Sequence, residues 1–250
     1  MTGTRVVLIA CLWSLCGIAW GADAPPTIPA GARIGIIDMV TNDVTHYHAG
    51  AKEVNTFLRT YRGDWDAADL IDAPLMSALT GAGFEAVAVG ASEELRKERQ
   101  SWLVENPRAN KLPRGCLKEL GRIMTDQNLA ALIVVAPGAN TDPEYVEDNR
   151  WSLLPRAVQG IGFSTSDGPN GTTKAVVFDF TQMVVVVKTP DGPRLVARDW
   201  GANRIYAWPG FDPGANLKAL SAAQLVSLRP VISDAINNRI TTRVMPRIKP

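Results

Sequence analysis

Two β-branched and aromatic runs flank Thr189-Pro190-Asp191-Gly192-Pro193 within the stretch Lys174 to Trp200. The run before this turn is apolar at odd and even positions alike. Val176, Phe178 and Val184 fall on one side, and Val177, Met183, Val185 and Val187 on the other. A strand has a side-chain period of two, so one that is apolar on both faces is covered on both faces. The pattern predicts an antiparallel hairpin with helices or a second sheet above and below it. Asp179 is the one charge inside its first strand.

The same reading runs along the rest of the chain. Arg33 to Val40 predicts a strand, and Asn42-Asp43 a turn into Val44 to His48, so the fold opens on a hairpin. Asp72 followed by Pro74 marks a helix start, with Leu75, Met76 and Leu79 inward and Gly81 and Gly83 at its stop. Phe84 to Val89 is a strand, and Ser92 opens a helix whose Glu93 and Glu94 suit its positive end. Arg114 to Asn128 carries Leu117, Leu120, Gly121 and Met124 at helical spacing, directly before the buried strand Ala130 to Ala136. Val158 to Ser166 joins the later hairpin in a meander. Ser221 with Gln224 caps a long helix striped by Leu225, Leu228, Ile232, Ile236, Ile240 and Val244, kinked at Pro230. The predicted class is α/β with an α+β tendency. It has a mixed sheet with helices on its faces, an antiparallel meander in the second half and a long C-terminal helix.

Composition adds bounds. The chain has 250 residues, 46% hydrophobic and 20% charged, enough for a single α/β domain over residues 32–250. Its 26 basic and 25 acidic side chains leave a net charge of +1, which gives no field for nucleic acid. Residues 1–21 read as a signal peptide, with Arg5, the apolar run Val6 to Ala19 and the small-x-small site Ala19-Trp20-Gly21. Residues 22–31, with Pro25, Pro26 and Pro29, are a Pro-rich leader, and no later stretch is long and apolar enough to span a membrane. The expected location is periplasmic or secreted. Cys11 ends a lipobox-like Leu8-Ile9-Ala10-Cys11, but only Val6 and Val7 separate that motif from Arg5, so lipid anchoring is not expected. Cys116 is then the one cysteine left, and a disulfide framework is excluded.

Candidate chemistry is sparse. His46 and His48, two apart on a strand, point to one face as a metal pair would, with Asp38 or Asp43 as a third ligand. The competing reading is two imidazoles on the open face of an edge hairpin. Asp64, Asp66, Asp69 and Asp72 resemble a calcium loop that fails at Ala68 and Leu75, so they read as helix-start carboxylates. Gly162-Phe163-Ser164-Thr165-Ser166 ends in Ser where a nucleophile elbow needs Gly. Cys116 reads as a buried thiol, and Pro137-Gly138-Ala139-Asn140 lies where open α/β sheets bind ligands, without a nucleotide motif. Arg239, Arg243 and Arg247 read as a solvated stripe on the last helix. The loop Asp199 to Pro213 holds Trp200, Tyr206, Trp208 and Phe211 among glycines and prolines, a composition that presents rings to a sugar or a protein, or else caps the sheet with them.

An exported leader, the first strand Arg33-Ile34-Gly35-Ile36-Ile37-Asp38, the Pro74 to Val89 helix-glycine-strand unit and the Leu117 to Pro137 helix-strand unit together resemble a class of bacterial envelope α/β domains. That class includes the curli-secretion channel subunit, the lipoprotein activator of penicillin-binding proteins and the amino-terminal domain of TolB. The resemblance implies a non-catalytic binding or scaffold module for other envelope components, with no cofactor, in a bacterial periplasm. No alternating amphipathic pair suits a transmembrane barrel, so a pore is not implied. The expected function is therefore such a module, with the aromatic loop as its contact surface. The alternatives are a metal-dependent hydrolase using His46 and His48, and a cell-wall glycan-binding protein using Trp200, Tyr206 and Trp208.

Overall fold

The structure, a computed structural model, describes residues 27–62, 67–99, 112–138, 158–167, 173–199 and 205–248. The described strands form two five-stranded sheets. The first contains β1 (Arg33–Asp38), β4 (Glu85–Ala88), β5 (Ala131–Pro137), β8 (Thr181–Thr189) and β9 (Gly192–Asp199), in the order β4-β1-β5-β8-β9. The second contains β2 (Asp43–Ala49), β3 (Phe57–Arg62), β6 (Ile161–Asp167), β7 (Thr173–Asp179) and β10 (Ile205–Ala207), in the order β10-β7-β6-β2-β3. Both sheets are mixed: β1 runs parallel to β4 and β5, and β2 parallel to β6, while the other pairs are antiparallel. The α/β class holds, with two sheets where one was expected.

Period-two alternation sorts the first sheet into two cores. Ile34, Ile36, Ala131, Ile133, Val135, Met183, Val185 and Val187 face a core shared with the second sheet. Ile37, Leu132, Val134, Ala136, Val184 and Val186 face helices α2 (Glu93–Arg99) and α3 (Arg114–Asp126), through Leu95, Cys116, Leu120, Ile123 and Met124. Helix α3 lies so close to β9 that a Cβ on Gly121 would come within 2.9 Å of Pro193. The shared core also takes Ile71, Leu75 and Leu79 from helix α1 (Ala67–Gly81), and Val44, Phe163 and Val177 from the second sheet.

Three expectations change. The opening hairpin does not form, because β1 and β2 lie in different sheets, and β2 pairs instead with β3 and β6. The apolar run 174–189 is two strands: β7 ends at Asp179 in one sheet and β8 begins at Thr181 in the other, with Phe180 as the corner. Alternation is kept across that corner, so Val177 and Met183 share one core while Phe178 and Val184 face different ones. The meander is thus split, and only β8 and β9 form the expected hairpin, closed by Pro190-Asp191 with Gly192 at φ +112°. Helix α1 begins at Ala67, which places Asp72 and Pro74 inside it. Burial of Leu70 and Ile71 beside Leu75 recruits that extra turn against the proline.

The C-terminal segment is helical but broken. Ser221 caps α4 (Ala222–Val226), its side chain accepting from Gln224 N at 3.3 Å. The Gln224 side chain does not complete a capping box; it donates to Gly210 O and accepts from Asp212 N. Pro230 sits in the first turn of α5 (Arg229–Arg239), where its missing N–H costs nothing, and a π-turn over Ile240–Val244 and a 3₁₀ turn over Met245–Arg247 follow. Leu228, Ile232, Ile236, Ile240 and Val244 form the expected buried stripe.

Arg239 is not on a solvated stripe, whereas Arg243 and Arg247 are exposed. Its side chain is buried at the sheet corner, where it pairs with Asp179 and donates to Asp199 Oδ2 at 2.8 Å, Thr181 Oγ1 at 2.8 Å and Thr181 O at 3.0 Å. Asp179 Oδ1 in turn accepts from Thr181 N and Oγ1 at 2.9 and 2.6 Å. Burial opposes the guanidinium charge, but the two carboxylates outweigh it and raise the Arg239 pKa above the usual arginine value. Replacing Arg239 by Met leaves two carboxylates without their cation. The expected loss is about 3–5 kcal/mol, seen as a lower urea midpoint, with partial recovery when Asp179→Asn and Asp199→Asn are added. An unchanged midpoint in R239M would show that the corner does not need the ion pair.

Candidate functional site

The second sheet gathers the chain's two histidines. Strand β2 puts Val44, His46 and His48 on one face, and the parallel register with β6 sets His46 beside Phe163 and His48 beside Thr165. On the other side β3 brings Arg59 opposite His46 and Phe57 opposite His48. His46 is fully buried, its ring stacked on Phe163 at 4.2 Å and met edge-on by Phe57 at 5.1 Å. His48 is 4% exposed. The pair does not lie on an open face.

Both imidazoles turn to one hydroxyl: His46 Nε2 and His48 Nδ1 each lie 2.8 Å from Thr165 Oγ1. A hydroxyl has one proton to donate, so it serves one ring as donor and the other as acceptor. The far nitrogen of His48, Nε2, is 3.6 Å from Asp167 Oδ1, and Asp167 Oδ2 accepts from Ala51 N at 2.9 Å. Placing a proton on His48 Nε2 points it at the carboxylate. Thr165 then donates to His48 Nδ1 and accepts from His46 Nε2–H. The reverse order would set a bare nitrogen against Asp167 and leave His46 with a buried N–H that has no acceptor, a costlier defect than an unused lone pair. The inner end of the chain is His46 Nδ1, buried and without a hydrogen-bond partner.

Burial and the neighbouring charges of His48 and Arg59 lower the His46 pKa to about 3. Burial also lowers that of His48, with Asp167 opposing. Both rings are therefore neutral at pH 7.

Carboxylate, imidazole and hydroxyl stand in the order of a nucleophile relay. The hydroxyl is Thr165, not Ser164, which points to the opposite face of β6. Thr165 is fully buried and His46 occupies its other side, so no electrophile reaches it. A metal fares no better. Asp38 accepts from Val40 N at the end of β1 in the other sheet, and Asp43 lies on the opposite face of β2 from the histidines. Among the described residues no group of three or more His, Cys, Asp or Glu side chains gathers as a metal site would require.

Of the aromatic loop, Trp208 is part of the core. Trp208 is 5% exposed, donates its Nε1–H to Ser227 Oγ at 2.9 Å and packs at 5.1 Å from both Phe163 and Phe211. The sequence placed Trp208 on a contact surface; burial of its indole over the shared core corrects that. Tyr206 is half-buried in β10 and Phe211 half-buried against Trp208, while Trp200 lies outside the described residues. Trp208→Ala is expected to cost about 3–5 kcal/mol, so loss of binding in that variant would report loss of the fold.

Thr165, Asp167 and Arg239 were missed in the sequence. A signal existed for each. Phe163, Thr165 and Asp167 alternate along β6 with the period of His46 and His48, and Asp179 in an apolar run called for a buried cation.

No protein-family model matches this chain, and no curated protein matches its sequence.

Both histidine pKa values fall below the unfolded value of about 6.5, so the unfolded chain takes up protons that the folded chain refuses. Their stabilising effect is complete above pH 6.5 and is lost as pH falls towards the folded pKa, at about 1.4 kcal/mol per pH unit for His46 and with the same sign for His48. Urea midpoints measured from pH 8 to 4.5 are expected to drop below pH 6.5, and to drop less in His46→Phe. Identical pH profiles for the two proteins would refute the buried neutral imidazole.

Proposed function

We propose that the chain is an exported, non-catalytic module that binds an envelope protein of a bacterium by accepting an extended segment along β3. The leader in residues 1–21 and the resemblance to envelope α/β domains support the location. The non-catalytic reading is supported by where the acid-base groups point. His46, His48 and Thr165 close on one another, and Arg239 closes on Asp179 and Asp199.

The observation that carries the proposal is the edge formed by β3. Among the described strands, β3 ends the second sheet and pairs only with β2. An edge strand presents a row of backbone donors and acceptors to a further strand. Leu58 is 52% exposed on β3, and Val54 in the preceding 3₁₀ turn (Glu53–Asn55) is 87% exposed. Two large aliphatic side chains beside this edge give an incoming segment main-chain pairing and apolar contact together. Arg59, held over the Tyr61 ring at 5.1 Å, guards the edge against indiscriminate pairing.

Crosslinking from envelope fractions tests this reading with two variants, Val54→Asp with Leu58→Asp, and Trp200→Ala with Tyr206→Ala. The edge variant is expected to lose the crosslinked partner, the loop variant to keep it. A partner lost only from the loop variant would contradict the assignment to β3, and no partner in the intact protein would contradict the function.

A further inference from the structure

A cleft of about 210 Å³ opens where the chain passes between the sheets, at the carboxyl end of β5 and the start of β2. Such ends of parallel strands are the usual ligand positions of open α/β sheets. Its floor includes Pro137, which is buried. Its polar lining is Thr41, Asp43, Thr45, Thr60 and Gln159, all of them half-buried or exposed. Backbone pairing sets this lining. Thr45 lies opposite Thr60 across the β2–β3 ladder, and Asp43 stands two residues before Thr45 on the same face of β2. The histidines of β2 point the other way, so the cleft shares no side chain with the Thr165 cluster.

We propose that this cleft binds a neutral, polyhydroxylated molecule the size of one sugar ring. Three hydroxyls and an amide can each donate and accept, and a carboxylate can accept from two neighbouring hydroxyls at once. Among the described lining side chains the one charge is the Asp43 carboxylate, which an anion would have to face. An apolar ligand would strand the five polar groups. A diamine would use Asp43 and leave three hydroxyls facing methylenes. At about 210 Å³ the space is smaller than the roughly 300–1,000 Å³ of pockets for drug-sized ligands and suits a single ring. The site does not depend on partner binding at β3 and can fail or hold without it.

Saturation-transfer NMR on the full chain tests it, with D-glucose, D-galactose and N-acetyl-D-glucosamine as probes and putrescine and succinate as charged controls. Transfer to the ring protons of at least one sugar is expected. In Asp43→Asn, which keeps the shape, and separately in Thr60→Val at an exposed position, affinity is expected to fall about ten-fold, the effect of one lost polar contact. The proposal is overturned if none of the three sugars receives saturation, if both variants bind as the parent does, or if putrescine or succinate binds while the sugars do not.

Discussion

The two sheets are held at one corner by a buried guanidinium. Phe180 carries the chain from the second sheet into the first, and the residues on either side of it, Asp179 and Thr181, are both bound by Arg239. Asp199, at the far end of β9, is drawn to the same cation. One side chain from α5 thus fixes the end of β7, the start of β8 and the end of β9, and seats the C-terminal helix on the shared core. Burying three charges is costly, and hydrophobic packing alone would stabilise the corner as well or better. What the ion pair adds is direction. A strand run apolar on both faces could continue straight, and the buried Asp179 meets its countercharge where Arg239 waits. Backbone bonds complete the corner: Gly138 N donates to Phe180 O at 2.8 Å, and Phe180 N to Gly160 O at 2.7 Å.

With that corner in place, the second sheet presents its histidines to the interior. The consequence for function is direct. A group can act on a ligand only if its reactive atoms reach one, and here the imidazoles and the Thr165 hydroxyl reach each other. Among the described residues, two surfaces open to other molecules are the β3 edge, with main-chain groups and aliphatic side chains, and the polar cleft at the crossing. Both suit recognition, and neither places a nucleophile beside a base.

Much of the local structure was legible in the residues. The two-faced strands Ala131 to Ala136 and Met183 to Val187, helix α3 and the striped C-terminal segment all follow from periodicity, because burial on two faces or along one stripe leaves a repeating mark. Which sheet a strand joins leaves no such mark. Asn42-Asp43 looks like a hairpin turn whether the next strand folds back or moves to another layer, and Phe180 looks like any other core aromatic. Strand β3 was invisible for a related reason: at an edge, Arg59 and Thr60 are exposed and dilute the alternation of Phe57 and Tyr61. Arg239 has the i, i+4 spacing of Arg243 and Arg247, and only its long-range contact with Asp179 sets it apart. The histidine pair was legible as a pair on one face, but whether that face was open or closed depended on Phe163 and Thr165, over a hundred residues away.

The central claim is that His46 and His48 form a closed, neutral chain through Thr165 and so take no part in metal binding or catalysis. Nitrogen-15 NMR of the two imidazoles, recorded from pH 7.5 down to 5 with and without added zinc, tests it most directly. The expected result is two neutral rings at pH 7.5 with the proton on Nε2, His46 little changed by acid down to pH 5, and both rings unchanged by zinc. Titration of His46 near 6.5, or a zinc-induced shift of both rings at equimolar metal, would contradict the claim and restore the pair as a functional site.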